Sequence, residues 1–100
     1  MTKYIIKETI TEGDHAGKEY FLDKKGYVRL KSELDYIWQE DSYTLTACKA
    51  ACTRKEKRNT AEVMLERRER ERRIAEGKPV SHYTIYEMTK YEPYAIETVD

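Results

Sequence analysis

One hundred residues with 39% hydrophobic and 38% charged side chains describe one small domain with a thin core; nine tyrosines, one tryptophan and one phenylalanine add enough apolar area to exclude wholesale disorder. Basic and acidic residues balance at 19 each, so net charge selects no partner. The charge is nonetheless uneven: −2 over residues 1–46 (seven basic, nine acidic), +5 over 47–78 (eleven basic, six acidic) and −3 over 79–100 (one basic, four acidic).

The chain opens on KYIIKETIT, residues 3–11, whose strict alternation and β-branched side chains predict a strand. The same alternation leaves no room for a signal-peptide core, and no apolar run approaches the roughly 20 residues of a membrane span. A cytoplasmic location is therefore expected. EGDHAGK supplies turn chemistry through Gly13, Asp14 and Gly17. EYFLD and YVRLK, joined by Asp23-Lys24-Lys25-Gly26 with Gly26 free to take positive φ, predict a hairpin over 19–31. LDYIWQ, 34–39, reads as a further short strand or a turn of helix; if extended, Leu34, Tyr36 and Trp38 share one face.

Beyond Asp41 the pattern turns helical, with no Gly or Pro until Gly77 and Pro79 stop it. Ser42 or Thr44 caps the start. A continuous helix over 44–76 would be about 50 Å long, longer than a compact domain of this size, whose radius of gyration is about 13 Å. Either the charged stretch 53–76 projects from the domain or the helix breaks. TRKEKRNT, 53–60, has no apolar residue, and Asn59 with Glu62 resembles the start of a second helix. After Pro79, SHYTIYEMTK predicts a strand, and Pro93 within YEPYAIETV suits an edge strand or a turn into a last extended piece. The sum is a single α+β domain over 1–100. A small antiparallel sheet of three to five strands packs on one long helix, continuous or broken, in the order β-β-β-α-β.

Chemistry-bearing residues are sparse. Cys48 and Cys52, at i and i+4, present two thiols on one helix face, but zinc needs two more ligands and only His15 and His82 exist, both distant in sequence. Buried small residues are the simpler reading; no metal and no cofactor are expected. Neither histidine has a neighbouring nucleophile, and no phosphate-binding loop, nucleophile elbow or HExxH motif occurs, so the chain reads as non-enzymatic.

Two features point to binding. Nine tyrosines exceed what so small a core needs, and Tyr91 and Tyr94, beside Pro93 in an acidic tail, are the best surface candidates. MLERRERERRIAEG, residues 64–77, holds nine charged side chains. On a helical wheel Arg67, Arg70 and Arg73 share a sector with Val63 and Ile74, while Arg68 and Arg72 lie opposite. Glu66 to Arg70 and Glu69 to Arg73 are favourable i, i+4 pairs. Because the signs interleave there, a solvated helix propped by its own salt bridges is the first reading, protein-facing arginines the second and a nucleic-acid stripe the last. Arg67, Arg70, Arg73, Tyr91 and Tyr94 are the expected partner-binding residues.

In layout, YIIKE, EYFLDKKGYVRL, the LTACKAA helix and the Tyr-rich final strand resemble short accessory proteins of phages and mobile elements. Inhibitors of host defence, including anti-CRISPR proteins, belong to that group. The resemblance covers nearly the whole chain but carries over no functional residue, and the long Arg/Glu helix departs from the plainest form. It implies a non-enzymatic inhibitor or accessory factor in the host bacterial cytoplasm, with a bacterial protein such as a CRISPR effector nuclease as partner. The alternatives are a nucleic-acid-binding accessory using the basic 47–78 segment, and a homo-oligomer assembled through the helix.

Overall fold

The computed structural model describes residues 2 to 80 and 87 to 99. The strand expected over SHYTIYEMTK falls largely on residues outside that range, as do His82, Tyr83 and Tyr86. Four strands are described: β1 (Thr2–Ile10), β2 (Glu19–Leu22), β3 (Val28–Arg29) and β4 (Thr89–Glu97). One helix, α1 (Leu45–Ala75), lies between β3 and β4 in the chain. The sheet is antiparallel throughout with spatial order β3-β2-β1-β4, so β1 lies inside it between β2 and β4, and the last strand forms one edge. The α+β class and the β-β-β-α-β chain order are as expected.

Ile5 and Ile6 explain the arrangement. Adjacent residues of a strand point to opposite faces, and both side chains are fully buried, so each face of β1 carries its own cover. On one face Ile6 and Leu22 pack against Cys48, Ala51 and Cys52 of α1, with Tyr4, Tyr43 and Tyr91 at the margin. On the other, Ile5, Phe21 and Ile96 pack against Leu34 and Ile37, with Tyr94 at the margin. Neither layer alone is a full core, and β1 joins them.

The cover on the second face comes from the 34–39 segment, which forms a 3-10 helix over Lys31–Tyr36 followed by a second over Gln39–Asp41. A 3-10 turn repeats every three residues, so Leu34 and Ile37 point inward together. Tyr36 and Trp38 point out, and the shared Leu34, Tyr36, Trp38 face of an extended segment does not form. Trp38 lies in a single parallel bridge to Val99, where Gln39 N donates to Val99 O (3.1 Å) and Val99 N to Ile37 O (3.0 Å).

The helix does not break. It starts at Thr44, whose hydroxyl accepts from Ala47 N (3.3 Å), and ends in a Schellman turn: Gly77 N donates to Ile74 O (3.1 Å) and Lys78 N to Arg73 O (2.8 Å), with Gly77 at φ +70°. Its 31 residues run about 46 Å. The last buried residue is Val63, so about 18 Å of helix extends beyond the core. The molecule measures 58 × 25 × 18 Å with a radius of gyration of 16.7 Å, well above the value for a compact chain of this length. Among the described residues no helix is long and apolar enough to cross a membrane.

Asn59, where a broken helix would restart, sits buried in the middle of the continuous one and ties it to the sheet. Its amide nitrogen donates to Glu87 O (2.9 Å), and its oxygen accepts from Thr89 N (2.9 Å). One turn earlier, Glu56 Oε1 accepts from Tyr91 N (3.1 Å). These are outward-facing groups of an edge strand: Tyr4 pairs with Tyr43, and Ile10 with Lys18 and Gly17, on the opposite side of β1. The odd-numbered β1 residues therefore bond β4, and Thr89, Tyr91 and Pro93 face away from the sheet. Two helix side chains and a proline, which has no N–H, cover three successive positions of an edge open to strand addition. Asn59→Ala leaves a buried N–H and C=O unpaired and should lower stability by about 2 kcal/mol, a fall in Tm of about 10 °C by circular dichroism. A change below a degree or two would show that the helix is held by apolar packing alone.

Candidate functional site

The five expected partner-binding residues do not converge. Arg67, Arg70 and Arg73 do share a side of α1, and it is the sheet-facing side continued past Val63. Arg67 reaches the β1–β2 loop in an ion pair with Glu12, whereas Arg70 Nε lies 3.7 Å from Glu66 of the same helix and Arg73 donates to Pro79 O at 3.5 Å. A cleft of about 160 Å³ lies between Glu12, Gly13, Val63, Arg67 and Met88. Glu69 bonds Arg72 through both oxygens (2.8 and 3.1 Å), one residue short of the expected Arg73. The loop opposite is pinned as well. His15 bonds Glu87 through its ring and its backbone N–H, holding the Glu87 carboxyl below the usual carboxylate range. At Gly13 a Cβ would come within 2.8 Å of that carboxylate, and φ is +101°.

Tyr91 and Tyr94 lie three residues apart in a strand and so point to opposite faces. Tyr94 packs edge-on against Phe21, ring centroids 4.9 Å apart. Tyr91 lies under the helix, where burial and then the carboxylates of Glu8, Glu62 and Glu56 push its phenol up to about 12. Glu8 shares this layer. Burial raises its carboxyl above the usual range, and the Lys55 ammonium only partly offsets that.

The two cysteines are core residues. Cys48 is fully buried, its thiol donates to Ile5 O (3.4 Å), and burial pushes it up to about 12; burial raises Cys52 too. Among the described residues no three His, Cys, Asp or Glu side chains are placed to hold a metal ion.

A different surface is built over residues 27–38. Ten large hydrophobic side chains are exposed among the described residues, and five of them, Tyr27, Val28, Leu30, Tyr36 and Trp38, lie within residues 27–38. Tyr36 is 73% exposed, Tyr27 65%, Leu30 64% and Trp38 52%. Beneath them runs a charge network. Asp23, buried, accepts from the backbone of Lys25 (2.9 Å) and Tyr27 (3.0 Å) through Oδ1 and from Arg29 Nε (2.8 Å) through Oδ2. Asp41, also buried, takes Lys25 Nζ at 2.8 Å and Arg29 at 3.8 Å, and its carbonyl accepts from Lys24 N. Arg29 reaches Glu33 at 3.6 Å. The hydrogen bonds to Asp41 and Asp23 raise the Lys25 and Arg29 side chains above their ordinary values. With Leu34 and Ile37 anchored in the core, the exposed rings are held by a fixed frame.

The sequence does carry one sign of this surface. Residues 27–38 contain five large apolar side chains besides Leu34 and Ile37, more than one strand or short helix can bury on one face. Comparison with protein-family models, with curated proteins and with solved structures found no match to this chain.

Two measurements test the site. Asp23→Ala leaves Arg29 and two amides without their acceptor and should cost about 3 kcal/mol in urea unfolding, with Arg29→Lys milder; a loss under 0.5 kcal/mol would mean that the frame does not depend on Asp23. The raised carboxyl of Glu8 binds its proton more tightly in the folded state. Its contribution is complete below the unfolded value near 4.5 and is lost as pH rises through the higher folded value. Glu8→Gln should therefore raise Tm at pH 7 and leave it unchanged near pH 3.5. An equal shift at both pH values would refute a protonation effect.

Proposed function

We propose that this chain is a non-enzymatic binding protein that works by occupying the surface of a protein partner, through the exposed aromatic segment 27–38. The observation that carries the reading is that Tyr27, Leu30, Tyr36 and Trp38 stand more than half exposed on a frame fixed by Asp23, Asp41 and Arg29. Leaving such rings in water gives up apolar burial, which a partner recovers. Tryptophan and tyrosine are the side chains most often found as binding anchors. A preset frame lowers the ordering entropy lost on association. The phage-type layout suggests one concrete form: an inhibitor that covers a working surface of a bacterial defence nuclease such as a CRISPR effector, a task that needs tight occupancy and no turnover.

Arg67 enters this reading as a strut between the helix and the β1–β2 loop, and Arg70 and Arg73 as side chains engaged with Glu66 of the same helix and with Pro79 just past its end. Tyr91 and Tyr94 enter it as parts of the two apolar layers. Their replacement is expected to act on binding through stability.

The test is capture of partner proteins from a bacterial lysate, followed by nuclease inhibition with the captured protein. Tyr36→Ala and Trp38→Ala should each weaken capture at least tenfold, a loss of about 1.4 kcal/mol or more, while thermal melting stays within a few degrees. Capture unchanged by the double variant would overturn the assignment of this surface.

A further inference from the structure

We infer that the groove along the N-terminal half of α1 is a binding site for single-stranded nucleic acid. It is separate from the Tyr27–Tyr36 surface, with Trp38 at the point where the two meet. The groove is made of two recesses that meet at Tyr43. One, of about 550 Å³, is lined among others by Lys3, Lys24, Trp38, Thr44 and Ala47; the other, of about 440 Å³, by Tyr43, Ala51, Arg54, Lys55 and Arg58. Thr44, Ala47, Ala51, Lys55 and Arg58 follow one another at helical i, i+3 and i+4 spacing, so they form one side of α1. From Thr44 to Arg58 that side runs about 21 Å. The alanines keep the helix wall low between the cationic ends.

Charge is what makes this groove selective. Five cations line it, Lys3, Lys24, Arg54, Lys55 and Arg58, against one carboxylate, Glu40. None of the five side chains makes a hydrogen bond or ion pair with a described residue; Lys55 feels the Glu8 carboxylate, and Arg54 the Tyr43 phenol, only through space. The nearby acids are engaged elsewhere: Glu56 with the Tyr91 N–H, Asp23 with Arg29, and Asp41 with Lys25 and Arg29. Glu62 stands one turn past Arg58 on the same flank and marks the end of the cationic track. Arg67 and Arg72, farther along, are paired with glutamates, so the free positive charge of the +5 segment is concentrated in the part that lies against the domain.

The occupant follows from the combination of charge, rings and shape. A phosphate chain supplies regularly spaced anions for the cations, and its unstacked bases supply flat faces for Tyr43 and Trp38, the pairing that single-strand sites use. A 21 Å track suits a strand of a few nucleotides, the lower end of known site sizes. A duplex is read by a helix that projects into its major groove, whereas these cations line a recess. An acidic protein segment would satisfy the cations but leave both rings unused.

The test is fluorescence anisotropy of a labelled 15-nucleotide oligo-dT, and the matching oligo-rU, titrated with the full chain. With five phosphate contacts, log K should fall against log salt with a slope of about −3.5, roughly 100-fold between 50 and 200 mM. The double variant Arg54→Glu, Arg58→Glu should lose more than tenfold in affinity at 100 mM salt and show a flatter slope, with its melting curve unchanged. Arg68→Glu, about 15 Å farther along the helix and beyond a Debye length, should bind as the parent does. Absence of any anisotropy change at 50 mM salt would overturn the proposal. So would equal losses in the Arg68→Glu and the double variant, which would reduce the effect to overall charge. Displacement of the oligonucleotide by poly-glutamate at equal concentration would assign the groove to an acidic protein segment instead. The 27–38 surface is read separately, by protein capture with Tyr36→Ala, a residue that does not line the groove.

Discussion

Two consecutive isoleucines in the central strand set the constraint on which this small fold rests. Ile5 and Ile6 point to opposite faces of β1, and both are removed from water, so the chain must bring a cover to each side. A protein this short has one helix available. α1 covers the Ile6 face, and a pair of 3-10 turns, anchored by Leu34 and Ile37, covers the Ile5 face. At roughly 1.5 to 3 kcal/mol for each isoleucine, the pair is a large part of the marginal stability expected of a domain this size. The second cover is too small to bury its own apolar residues, and the aromatic segment over 27–38 is the surplus. The exposed surface is thus a consequence of how the core is divided.

The same economy shapes the edge of the sheet. β4 arrives last in the chain and pairs with the first strand, leaving its outer side to solvent. Glu56 and Asn59 reach down from the helix to bond that side, and Pro93 offers no N–H at the next position. A polar residue in the middle of a helix costs little in local propensity, and here it replaces a missing strand. Having spent Glu56 on the strand, the helix keeps Arg54, Lys55 and Arg58 along its other flank with no counter-ion among the described residues. The asymmetry of free charge therefore has the same origin as the covered edge.

Much of the fold is legible in the residues. Alternation in KYIIKETIT, the DKKG turn, the Thr44 cap and the Gly77–Pro79 stop are short-range features, each decided within a few residues by backbone geometry. The stretch 53–60 fits either reading, because a polar run satisfies a solvated helix as well as a break. What keeps it continuous is Asn59, whose partners lie 28 and 30 residues away. The site was less legible. Arg67, Arg70 and Arg73 share a helix face as the wheel requires, but a wheel says nothing of Glu12, 55 residues earlier, which holds Arg67. Tyr91 and Tyr94 stand together in sequence and apart in space, because strand alternation sends them to different layers.

The sequence by itself determined the class of fold, the order of its elements, the two ends of the helical region and the segregation of charge into the 47–78 segment, since propensity, capping and periodicity act locally. Only the tertiary structure decided which rings are buried and which cations are free. A tyrosine or an arginine is chemically at home both in a half-buried layer and in water. The choice between them depends on which distant strand, turn or carboxylate is brought alongside.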